Sequence, residues 1–176
     1  MQLGATRKAQ PVRTEQIILF RASSQVLAIS SASVQEVRSV EGLSGSPQEI
    51  HEPRLPKVRH VFRRGELNLY VVNAAVHFGL RPSQASLIFL LRRLRTALLV
   101  DGIEKMTTMT RLQALPGAFC HEERGWYRGL TVLDQNVVPV VDPAGFLTAE
   151  ELFVLDAAAS RLAMPEAPPH EMGLNV

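Results

Sequence analysis

The chain has 176 residues, enough for one domain or two small ones, and 46% of them are hydrophobic, which excludes general disorder. A net charge of +2 and an isoelectric point near 9.0 give a weak basic bias, far short of a nucleic-acid-binding tail. Cys120 is the single cysteine, so no intrachain disulfide can form and a reducing compartment is expected.

Residues 1–14 are polar, carry Arg7, Lys8 and Arg13, and read as a disordered leader rather than a signal peptide. No run approaches the ~20 apolar residues of a membrane span, so a cytoplasmic protein is expected, with any membrane association through a partner. Gln16 to Ile29 holds two β-rich runs about the polar turn Ala22-Ser23-Ser24-Gln25, a hairpin pattern. Ser33 to Val40, with Val34, Val37 and Val40 three apart, predicts a helical turn running into a strand. Glu41 to Pro56 is rich in Pro and Gly and predicts the most mobile loop of the body. Val58–Phe62 and Leu67–Val72 predict a second strand pair around Arg63-Arg64-Gly65-Glu66, and Asn73 to Leu80 a short helix stopped by Gly79 and Pro82.

Further on, Ser86–Leu91 and Arg95–Val100 predict a third pair, Gly102–Met109 a turn and strand, and Leu115-Pro116-Gly117 a break. Tyr127–Leu133 and Val137–Val141 pair across Asp134-Gln135-Asn136. Thr148 opens a helix to about Leu162, with Glu151 in capping-box spacing and Leu152, Leu155, Ala159 and Leu162 on one face. Residues 164–176, with Pro165, Pro168 and Pro169, predict a flexible tail.

The plan occurs twice. Ile17-Ile18-Leu19-Phe20 leading to Val26-Leu27-Ala28-Ile29 is matched by Leu87-Ile88-Phe89-Leu90-Leu91 leading to Thr96-Ala97-Leu98-Leu99-Val100. Tyr70-Val71-Val72-Asn73 is matched by Pro139-Val140-Val141-Asp142, at nearly the same offset. Two copies of a small all-β module read as a two-lobed binding protein. Each half of ~70 residues is small for a core of its own, so the lobes are expected to pack on each other.

Reaction chemistry finds little support. Cys120-His121-Glu122-Glu123 could suggest a metal or nucleophile, but a metal needs three or four ligands in regular spacing, and His51, His60, His77 and His170 are scattered. No phosphate-binding glycine loop and no nucleophile elbow is present. No enzyme, cofactor or metal site is expected. Arg54, Lys57, Arg59, Arg63 and Arg64 form a stretch free of acidic residues, and Arg92, Arg93 and Arg95 form a second basic turn. Phe62 is the one aromatic residue among them, which favours an acidic protein partner over nucleic acid.

The order of these pieces resembles the CheW family of chemotaxis coupling proteins over about residues 16–163. The residues that carry the resemblance are Ile17–Phe20, Val26–Ile29, Val34-Gln35-Glu36-Val37, Arg64-Gly65, Tyr70–Ala74, Leu99–Ile103, Tyr127-Arg128-Gly129-Leu130, Val138–Asp142 and the helix after Leu147. The resemblance implies a mainly β fold of two packed five-stranded SH3-like β-barrel lobes, with short helices and a C-terminal helix. The expected division is a single domain over 15–163, with lobe one at about 15–82, lobe two at about 83–147 and the helix at about 148–163.

The resemblance also implies a non-catalytic adaptor coupling a CheA-type histidine kinase, through its regulatory domain, to the cytoplasmic tip of chemoreceptors in membrane arrays. A scaffold in another chemosensory pathway, such as surface motility or pilus control, is the alternative. Val34, Glu36, Val37, Arg64 and Gly65 are the expected partner-binding residues, with Arg59, Arg63 and Trp126 as additional contacts. The departures are Arg59 and Phe62, where the family has Gly and Asn, and Asn73, where it has Asp. If that Gly serves a positive φ, the turn at Arg59 must differ.

Overall fold

The computed structural model describes residues 14–42 and 47–163. The leader before Thr14, the tail 164–176 and the centre of the expected mobile loop at 43–46 lie outside the described residues. In chain order the strands are β1 (Glu15–Ala22), β2 (Gln25–Ser30), β3 (Val34–Ser39), β4 (Gln48–Glu49), β5 (Val58–Arg64), β6 (Leu67–Asn73), β7 (Leu87–Leu91), β8 (Thr96–Val100), β9 (Gly102–Met109), β10 (Tyr127–Leu133) and β11 (Asn136–Val141). The helices are α1 (Ala74–His77), α2 (His121–Trp126) and α3 (Ala149–Ala163).

The strands form two sheets. The first has the order β10-β11-β2-β1-β9, and the second β3-β7-β8-β6-β5-β4. A backbone bridge between Gln113 and Leu130 ties the chain after β9 to β10 and closes the first sheet on itself. The second sheet has a sixth strand beyond the expected five, the two-residue β4, and its outer strands are β3 and β4.

The lobes are not consecutive segments, and the expected boundary at 82–83 is corrected. The hairpin β1–β2 lies in one sheet with β9, β10 and β11, while β7–β8 lies with β3 to β6. Each half thus gives its opening hairpin to the other half's sheet. The joins are parallel pairings at repeat-equivalent places, β2 with β11 and β6 with β8. The physical reason is burial. A half-length unit covers too little apolar surface alone, and the exchange lets both halves share one core.

That core has three parts. The largest lies between the sheets and draws Ile18, Phe20, Leu27 and Ile29 from the first and Val58, Tyr70, Val72, Phe89, Leu98 and Val100 from the second. The alternate residues Ile17, Leu19, Ala28 and Val140 fill the first sheet's own interior, and Val71, Ile88, Leu90 and Ala97 fill the second's. Strands covered on both faces need apolar residues at every position, which is why β1, β2, β7 and β8 read as unbroken apolar runs.

Three local expectations change. The valine spacing at 34–40 reflects a strand: Ser31–Ser33 forms the short turn, and a bulge between Val34 and Glu36 resets the faces of β3. The expected loop at Cys120 is helix α2, with the Cys120 backbone N–H donating to Glu123 Oε2 at 2.9 Å and the Glu123 N–H to Cys120 Sγ at 3.5 Å. Cysteine is not a usual cap, so the pattern gave no warning. On α3, Leu155 is buried but Leu162 is 47% exposed, with Ala158 buried instead.

The V-V-N and V-V-D repeat has one role in both copies. Asn73 caps α1 by accepting from the Val76 N–H, and Asp142 accepts from the Ala144 N–H at the turn Pro143–Gly145. Asn and Asp serve this equally, so the Asn73 departure preserves the local structure. Arg59 lies at a bulge between Val58 and His60 and has no positive φ, so its backbone does not demand glycine.

Candidate functional site

Parallel pairing of β6 with β8, Tyr70 opposite Thr96, sets the β5–β6 and β7–β8 turns at the same end of the second sheet. β3 begins there too, since Val34 pairs with Leu91 and the Arg92 N–H donates to the Ser33 carbonyl at 2.8 Å. Residues distant in sequence therefore converge: Gln35 and Glu36 near the start of β3, Arg63, Arg64 and Gly65 at one turn, and Arg92 and Arg93 at the other, while Val37 pairs with Phe89 further along β3.

β5 and β6 are joined by the two residues Gly65 and Glu66, and Gly65 has φ +63°. A two-residue hairpin with a positive φ at its first position suits glycine, so Gly65 shapes the turn that presents Arg64. Arg38 donates to the Glu36 carboxylate through Nε at 2.7 Å and Nη2 at 3.1 Å. These bonds hold the Glu36 carboxyl below the usual carboxylate range, with a weaker attraction from Arg64. Val37 is 39% exposed on β3, a free edge of the sheet, and Val40 beyond it is also exposed.

Other expected contacts lie elsewhere. Val34 is buried in the central core rather than presented at the surface. Arg59 is at the opposite end of β5, lining a cavity of about 170 Å³ with Lys57, His60 and Asn73. Trp126 is half-buried in an aromatic cluster where its ring lies 4.8 Å from that of His77 and 5.9 Å from that of Phe78.

His77 is enclosed by Trp126, Phe78 and Phe146, and its Nε2 is buried without a partner among the described residues. Burial, with a smaller push from Lys57, takes its pKa from 6.5 to about 3. The unfolded chain takes up this proton below about pH 6.5 while the folded one stays neutral. Stability is therefore full above that pH and falls as pH drops toward 3, by on the order of 1.4 kcal/mol per pH unit. His77→Phe retains the ring packing and is expected to give a flatter pH dependence of urea unfolding in that window; equal slopes for both proteins would refute the assignment.

The basic stretch read from the sequence splits. Arg54 pairs with buried Glu52 at 2.9 Å and Lys57 with Glu151 at 2.7 Å, away from the turn end. Arg95 is taken by Asp156, donating through Nη1 at 3.0 Å and Nη2 at 2.8 Å, while the buried Tyr70 hydroxyl donates to the same carboxylate at 2.6 Å. Asp156 thereby locks α3 onto β6 and the turn before β8, and Arg95 holds its carboxyl below the usual range. Asp156 gave no sequence signal, because an exposed-looking Asp in a helix reads as solvated surface. Arg63, Arg64, Arg92 and Arg93 have no carboxylate within ion-pair distance among the described residues. No group of three or more His, Cys, Asp or Glu suited to a metal ion occurs among the described residues.

A family model described as the CheW-like domain matches residues 16–151. The chain belongs to the CheW-like domain family. A crystal structure of the scaffolding protein TtCheW from Thermoanaerobacter tengcongensis is similar, with a TM-score of 0.62 at 15% identity over 83% of this chain and 96% of that one. At that identity the likeness establishes the fold. Comparison with curated proteins finds no match. As a CheW-like protein, the chain is a non-catalytic scaffold of chemosensory signal transduction. None of its described helices is long and apolar enough to cross a membrane.

Proposed function

We infer that this CheW-like scaffold couples a CheA-type histidine kinase to chemoreceptors, as a cytoplasmic protein recruited to membrane receptor arrays. One observation carries the reading beyond the family itself. The free edge of β3, with Glu36 and exposed Val37, stands beside the turn that carries Arg64, on a core shared by both sheets. A free strand edge suits docking of the kinase's regulatory domain, itself CheW-like. A receptor helix would dock by its apolar face. Because both sheets share one core, partners docked on it are held at fixed geometry, and binding on one face biases the kinase on another.

The test is a pull-down with the kinase regulatory domain and a receptor signalling tip encoded in the same genome. Capture of both supports the reading. Capture of neither removes the coupling role.

A further inference from the structure

We propose that the leucine-lined, arginine-rimmed pocket at the turn end of the second sheet binds an acidic amphipathic helix of a partner protein. The inference rests on the adaptor reading for the existence of a partner, and adds its chemistry.

The pocket has a volume of about 330 Å³. Leu67, Leu69, Leu90 and Leu94 supply its apolar lining, and Arg64 and Arg93 supply charge at its rim. Leu67 is 58% exposed, a large apolar side chain left open to water at a charged site. Arg63 and Arg92 flank the same two turns, and all four arginines are exposed. Glu36 is ion-paired to Arg38 and feels only a weaker attraction from Arg64, and Arg95 in the lining is paired with Asp156, whereas Arg63, Arg64, Arg92 and Arg93 make no ion pair among the described residues. Arg93 holds a left-handed backbone at φ +59°, an uncommon conformation for a residue other than glycine, and it carries a guanidinium to the rim.

Charge complementarity selects the occupant. Exposed guanidinium groups around an apolar hollow match carboxylates flanking an apolar anchor, and the planar fork favours carboxylates in paired geometry. A helix meets both needs at once: apolar residues at i, i+3 and i+4 enter the pocket while acidic residues beside them reach the rim. Nucleic acid fits less well, because no Trp, Tyr or Phe lines the pocket to stack a base.

The test is fluorescence anisotropy of the full chain with a labelled synthetic peptide bearing leucines at helical spacing and Glu and Asp elsewhere. The comparison probes are the same peptide with Lys for each acid, a single-stranded oligonucleotide, and vesicles containing an anionic lipid. Saturable binding of the acidic peptide is expected. The combined variant R64E/R93E is expected to weaken it by about tenfold or more, with Leu67→Asp acting in the same direction. All these positions are at the surface, and thermal melting verifies that the variants fold. The proposal is overturned by no saturation at about 1 mM peptide, by equal binding of the basic peptide, by tighter binding of the oligonucleotide or vesicles, or by indifference to R64E/R93E. If kinase and receptor are captured while the peptide fails, the pocket assignment alone falls. If the peptide binds while neither partner is captured, the pocket stands and the coupling reading falls.

Discussion

Phe89→Ala lowers the stability of the whole body by about 3–5 kcal/mol and leaves a single unfolding transition. Phe89, on β7, is fully buried and meets Phe20, on β1, edge to face with ring centroids 5.7 Å apart. The two rings come from opposite sheets and from equivalent strands of the repeat. Truncating one opens a cavity in the core that both sheets share, and neither sheet can collapse to fill it without shifting the other. The check is urea unfolding followed by far-ultraviolet circular dichroism and by Trp126 fluorescence. Trp126 reports on the aromatic cluster at the second sheet's far end, so coincident curves mean that the sheets melt together. Two separated transitions would mean that they fold independently.

Gly145→Ala has the second large effect, expected at about 3 kcal/mol, the upper range for forcing an added methyl into a packed site. A Cβ on Gly145 would overlap the carbonyl oxygen of Gly125 and crowd the Trp126 backbone. The obstruction is backbone on both sides, so no side-chain rotation relieves it. The turn Pro143–Gly145 would have to lift away from α2, pulling Phe146 from its place against His77 and Phe78. Calorimetric melting gives the loss of stability, and a change in Trp126 emission locates it. Gly117→Ala serves as a control, since a Cβ there meets open space and should cost far less. A Gly145→Ala protein as stable as the control would refute the close packing of this turn.

The hairpins are legible in the sequence because each combines an apolar run with a polar turn, and burial on both faces makes β1 and β7 unbroken. The partner of each hairpin is not legible. Ile17–Phe20 and Leu87–Leu91 are nearly interchangeable as strings, and the repeat favours pairing within a half. The exchange is decided by shared burial, which acts over distances that periodicity does not record. The turn end of the second sheet is half legible. Arg64-Gly65 stands out as a turn, and Arg92-Arg93 as a basic one, yet only the parallel register of β6 and β8 brings them to one end. Which arginines are already paired depends on distant residues such as Asp156, 61 positions from Arg95. Val34 is buried for a local reason. It shares a short segment with exposed Val37, and the bulge after it turns its side chain into the core.

The most direct test of the scaffold account is analytical ultracentrifugation of the chain mixed with the kinase regulatory domain and the receptor tip together. A single ternary complex, absent when the chain is omitted, is the predicted result. Displacement of one partner by the other would mean that both compete for one surface, and would contradict the account.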